Sequence, residues 1–100
     1  MELRLLQAAI LKSLEEKLCS NDFAKFGLEY SLRGNQAIFA VDRYYVIAVK
    51  KENGRFYLRA KTVGMKLESD WFLVLDEDRL VQRITKLLIN YMMKDRDVRN

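Results

Sequence analysis

The sequence predicts an α+β protein in a single domain: an N-terminal helix, an antiparallel meander of four or five strands and a C-terminal helix, with both helices packed on one face of the sheet. Three observations predict it. Apolar residues recur every three or four positions near both ends of the chain. The period falls to two in the middle, and Gly34-Asn35 and Asn53-Gly54 interrupt that middle with residues that accept positive φ. One hundred residues, half of them hydrophobic, suffice for one core and not for two.

Leu3, Leu6, Ile10, Leu14 and Leu18 form the apolar stripe of the first helix, broadened by Leu5, Ala9 and Leu11, with Arg4, Gln7, Lys12, Glu15 and Glu16 opposite. Ser20-Asn21-Asp22 supplies its stop. Between Lys25 and Arg33, Phe26, Leu28, Tyr30 and Leu32 alternate with polar residues, which predicts a half-buried strand. Gly34-Asn35 turns it into a second strand over 36–41. Residues 37–49 are nearly all apolar except Asp42-Arg43, which is read as a turn between two strands in preference to a bulge within one.

Asn53-Gly54 suits a type I′ turn, and a two-residue loop sets the register of the strands it joins. Glu52 then faces Arg55, Lys50 faces Tyr57, Ala48 faces Arg59 and Val46 faces Lys61. Opposed residues share a face, so Tyr45, Ile47, Val49, Leu58 and Ala60 fall on the core side. Tyr44, Lys50, Tyr57, Arg59 and Lys61 fall on the other. Gly64 bends or ends this strand, Met65 and Leu67 continue it weakly, and Glu68-Ser69-Asp70 turns into Trp71–Leu75, a short strand assigned to the core. Asp76 is placed to cap the last helix. That helix buries Leu80, Val81, Ile84, Leu87, Leu88 and Tyr91 and exposes Arg79, Arg83, Lys86 and Asn90. Residues 94–100 read as a charged flexible tail, which leaves 1–93 as the domain.

Composition narrows the chemistry. With no histidine and one cysteine, the chain builds no Ser-His-Asp triad, no Cys-His pair and no Cys/His zinc site. Cys19, at a helix C-terminus where the dipole disfavours a thiolate, is read as a structural thiol. The four glycines form no phosphate-binding loop. Asp76-Glu77-Asp78, with Glu68 and Asp70 nearby, is the one carboxylate cluster, and a helix N-terminus accounts for the triplet without a metal. No catalytic residue, cofactor or metal is therefore assigned. The first residues lack the pattern of a secretory signal, and no apolar run is long enough to span a membrane, so the sequence reading is a cytoplasmic protein without a membrane partner.

The net charge of +4 is unevenly placed. Arg43, Lys50, Lys51, Arg55, Arg59, Lys61 and Lys66 lie within residues 42–66 against only Asp42 and Glu52, so the remainder of the chain is close to neutral. The face carrying Tyr44, Lys50, Tyr57, Arg59 and Lys61 combines cations that neutralise phosphates with rings on which unpaired bases stack. The plainer account is a wetted sheet face whose lysines discourage aggregation. Arg79, Arg83 and Lys86 form a secondary basic stripe that a solvated helix face equally explains. Trp71, Phe72, Met92 and Met93 are apolar residues suited to a partner surface, although core is the ordinary role of a run like Trp71–Leu75. The expected function is a small non-enzymatic regulatory or adaptor protein that binds a macromolecular partner. A protein partner or self-association as a homodimer is favoured, and nucleic-acid binding through the basic face of the 44–63 hairpin is the alternative.

Overall fold

In the computed structural model, which describes residues 1–63 and 71–99, the predicted order forms. Helix α1 (Leu3–Leu18) is followed by a 3-10 turn (Phe23–Phe26). Strands β1 (Leu28–Arg33), β2 (Gln36–Val41), β3 (Tyr45–Glu52), β4 (Arg55–Thr62) and β5 (Phe72–Val74) come next, then helix α2 (Glu77–Arg99). The five strands pair antiparallel in the order β1-β2-β3-β4-β5, each beside its neighbour in sequence. The features expected of Gly64, Met65, Leu67 and Glu68-Ser69-Asp70 lie outside the described residues.

Turn chemistry explains the meander. Asn53 and Gly54 have φ of 53° and 75°, and Glu52↔Arg55 through Tyr45↔Thr62 pair in the register that the two-residue turn dictates. Asp42-Arg43 is also a turn, so 36–50 is two strands. Both residues lie in the left-handed region, with φ of 53° and 56°, and the Tyr44 N–H donates to the Val41 carbonyl at 3.0 Å. The chain reverses here although Arg43 is a poor residue for positive φ, because two apolar strands gain more by pairing than one unfavourable backbone conformation costs.

The strand expected from Lys25 starts later. Phe23–Phe26 winds into a 3-10 turn that Gly27 ends at φ 78°, and β1 begins at Leu28. Phe26 and Leu28 are both buried, so their spacing imitates strand alternation across a break. Tyr30 and Leu32, on the same face as Leu28, are exposed because β1 is an edge strand.

Both helices cover one face of the sheet. Leu6, Ile10 and Leu14 of α1 and Leu80, Ile84, Leu88 and Met92 of α2 are fully buried, or nearly so, against Ala37, Phe39, Val41, Ile47 and Val49. Each such aliphatic side chain contributes about 1.5–3 kcal/mol. Met92 is thus a core residue and takes no part in a partner surface. Tyr45 stacks on Tyr91 with ring centroids 4.3 Å apart and planes 1° from parallel, which pins α2 to the sheet at the start of β3. Thr85, also buried, donates its hydroxyl to the Val81 carbonyl at 2.7 Å and so needs no outside partner.

The helices run parallel. The Met1 nitrogen donates to Glu77 Oε1 at 3.3 Å where both helices begin, and Ser13 and Lys17 face Lys86, Ile89 and Asn90 farther along. Lys51 Nζ donates to the Met1 carbonyl at 2.7 Å, so both N-termini sit at the Asn53-Gly54 end of the sheet. Parallel dipoles side by side are unfavourable, and Glu77 and Asp78 in the first turn of α2 offset this. Asp76 caps α2 as expected, with Oδ1 accepting from the N–H groups of Asp78 at 2.9 Å and Arg79 at 3.3 Å. The helical backbone continues through 94–99, which the sequence reading places in a tail.

Trp71–Leu75 departs from its expected core role. β5 has three residues, pairs with β4 alone, and leaves Phe72 56% and Leu75 85% exposed. An all-apolar run carries no alternation to mark which side is wet, and an edge position leaves it partly uncovered. Among the described residues no helix is long and apolar enough to cross a membrane.

Candidate binding face of the sheet

With both helices on the core side, the opposite face of the sheet is bare of any helix or strand among the described residues. The register sets its composition. β2 presents Gln36, Ile38 and Ala40, β3 presents Val46, Ala48 and Lys50, and β4 presents Tyr57, Arg59 and Lys61. Lys50 sits opposite Tyr57, Ala48 opposite Arg59 and Val46 opposite Lys61. Tyr57, Arg59 and Lys61 therefore form one row along β4, with neighbours about 7 Å apart.

Trp71, just ahead of β5, folds over this row. Lys50 Nζ lies 4.6 Å from the Trp71 ring centroid and 5.4 Å from that of Tyr57, and Arg59 Cζ lies 5.4 Å from Trp71. Each cation–ring contact contributes about 0.5–2 kcal/mol, depending on how dry it is. Lys50, whose side chain is 21% exposed, also pairs with Glu52 at 3.2 Å. Rings and cations thus hold one another in place. Beside them, Gln36, Ile38, Val46, Ala48, Arg59, Lys61 and Trp71 line a shallow groove of about 160 Å³. Its floor is apolar because Ala48 is small and Ile38 and Val46 are branched, and its walls are aromatic and cationic.

Of the predicted site residues, the structure brings Lys50, Tyr57, Arg59 and Lys61 together and leaves Tyr44 apart. Tyr44 lies in the β2–β3 turn, edge-on to Tyr45 with centroids 4.8 Å apart, and joins the Tyr45–Tyr91 stack. Six residues of strand, about 20 Å, separate it from Lys50. The secondary stripe of Arg79, Arg83 and Lys86 is exposed on the outside of α2, across the thickness of the molecule from the bare face, so the two basic surfaces do not merge. Arg79 there turns back to Asp76 at 3.8 Å.

Trp71, weighed from the sequence as a partner-surface residue but assigned with its run to the core, is the residue absent from the predicted basic face. Its run of apolar neighbours masks it, and its place over Lys50 and Arg59 follows from tertiary pairing between β4 and β5.

The remaining candidates stay separate. Asp76 is occupied in capping α2 and Glu77 in meeting Met1. Among the described residues no group of three or more acidic or cysteine side chains converges, and Glu68 and Asp70 lie outside them. Cys19 is exposed in the left-handed residue that closes α1, with its Sγ 3.8 Å from the Glu16 carbonyl.

The fold defines an α+β protein with a one-sided antiparallel sheet. Compared with known protein families, with curated proteins and with solved structures, the chain matches none of them.

Proposed function

We propose that this chain is a small non-enzymatic regulatory or adaptor protein whose working surface is the bare face of the sheet, where it binds a macromolecular partner. The observation that carries this reading is the group of half-buried apolar residues Ile38, Ala40, Val46 and Ala48 on a face that no helix among the described residues covers, bordered by Lys50, Arg59 and Lys61. Single apolar residues are ordinary on a face that meets water, whereas a contiguous apolar group is not. An apolar centre with a charged border is the anatomy of an interface.

The test replaces Lys61, exposed at the border of the face, with a photoreactive benzoylphenylalanine, and makes the same change at Arg83 on the outside of α2. Irradiation in an extract of the cells that make the protein is expected to give a discrete adduct from position 61 and none from 83. No adduct from 61, or equal adducts from both, would remove the bare face as the working surface.

The exposed Phe72, Leu73 and Leu75 at the β5 edge favour a second reading, in which the partner is another copy of the chain. Light scattering should then give twice the chain mass for the parent protein and the single mass for Phe72→Glu. A monomer in both cases removes self-association.

A further inference from the structure

We infer that the partner of the bare face is single-stranded nucleic acid, one base of which enters the groove beside Trp71. The inference rests on the reading of that face as the working surface and adds the chemistry of what it holds. Charge supports it first. By register the face carries Arg33, Lys50, Arg55, Arg59 and Lys61 against Glu29 and Glu52, so its partner is anionic. An acidic peptide would satisfy the charge. The slot beside Trp71 adds a seat for a planar group such as a base.

The groove has a particular chemistry. At about 160 Å³ it is smaller than the several hundred Å³ of a site that engulfs a whole ligand, so it accepts one planar group of a longer chain. Ile38, Val46 and Ala48 offer that group apolar neighbours and Trp71 a ring, while Arg59 and Lys61 line the same groove with positive charge. A base against the apolar residues and a phosphate against the cations match this arrangement of apolar and cationic groups. A duplex presents phosphates but keeps its base faces stacked inside, so it would meet the cations and leave the groove empty.

The site is also held ready. Lys50 lies over both Tyr57 and Trp71, and Arg59 over Trp71, so the rings and charges that would meet a nucleotide are already aligned. Little side-chain freedom is lost on binding. The stretch Tyr57, Arg59, Lys61 then runs along the strand as a track for the sugar–phosphate backbone on either side of the inserted base.

Trp71 is the chain's single tryptophan, so its fluorescence reports the groove directly. Oligothymidylate of about twelve nucleotides, within the range one compact domain covers, is titrated into the whole protein while intrinsic fluorescence and the anisotropy of a label on the DNA are recorded. Saturable quenching of Trp71 is expected, with affinity falling roughly 20-fold between 50 and 200 mM salt if Lys50, Arg59 and Lys61 each neutralise a phosphate. A duplex of the same length should bind at least about tenfold more weakly and leave Trp71 unquenched. Trp71→Ala should weaken the single strand by about tenfold or more and Trp71→Phe should restore it, both read by anisotropy, with circular dichroism confirming the fold. Lys61→Glu should weaken binding and flatten the salt slope, and Arg83→Glu should do neither.

Three outcomes overturn the inference. They are no binding at 50 mM salt, equal affinity for duplex and single strand without quenching, and a Trp71→Ala protein that is folded and binds like the parent. If any of these occurs while Lys61 still gives its photo-adduct, the nucleic-acid assignment fails and the bare-face reading stands. If the adduct is missing as well, both fail.

Discussion

Phe39→Ala is expected to lower the unfolding free energy by about 3–5 kcal/mol. Phe39 is fully buried in β2, the strand that both helices touch, and pairs with Tyr30 on one side and Ile47 on the other. Removing its ring takes apolar area out of the core and leaves a cavity walled by two helices and a sheet. None of these can close in without breaking its own hydrogen bonds. A domain of this length has about 5–15 kcal/mol of stability in all, so the variant should lose a large fraction of it. Urea denaturation followed by circular dichroism measures the loss, with Phe39→Leu as the control that refills most of the volume and should cost less than about half as much. Equal, small losses for both variants would mean that Phe39 does not lie at the centre of the packing.

Gly27→Ala has the next largest expected effect, and two causes contribute to it. Gly27 has φ of 78°, where any other residue pays about 1–2 kcal/mol. A methyl group there would also coincide with the Asp42 carboxylate, because the Asp42 N–H donates to the Gly27 carbonyl at 2.9 Å and holds the two backbones together. The expected total is about 2–4 kcal/mol. Gly54 has φ of 75° with nothing near its missing methyl, so Gly54→Ala should show the conformational part alone. In an Asp42→Gly background the collision with the side chain disappears and only the backbone nitrogen of residue 42, 3.2 Å away, stays close, so the cost of Gly27→Ala should fall toward that of Gly54→Ala. A double-mutant cycle with no coupling between positions 27 and 42 would contradict the contact.

Local chemistry made much of this fold legible. The stripe of α1, the Asp76 cap and the Asn53-Gly54 turn each follow from residues within a few positions of one another, and the turn carried the register and the membership of the bare face with it. Lys50, Tyr57, Arg59 and Lys61 were found in that way. Long-range placement decided the rest. Nothing local distinguishes a central strand from an edge strand in Trp71–Leu75, so the uncovering of Phe72 and Leu75 and the seat of Trp71 over Lys50 were not readable. Tyr44 was assigned by alternation, which says nothing of distance along the strand, and it lies beside Tyr45 at the far end of β3 from Lys50. Phe26 was assigned to a strand by a spacing that a 3-10 turn and Gly27 reproduce.

The order of the strands has a consequence for how the chain searches for its structure. From β1 to β4 every ladder is closed by a loop of two or three residues, so each pairing forfeits little chain entropy and a zipper started at Asn53-Gly54 can grow one hairpin at a time. The meeting of α1 with α2 is different, because it joins the two ends of the sequence and gains nothing until the strands between them are in register. The hydrophobic side of the sheet is therefore sealed late. The opposite side takes its rows from the hairpins alone, and only the seat of Trp71 waits for β5 to join β4.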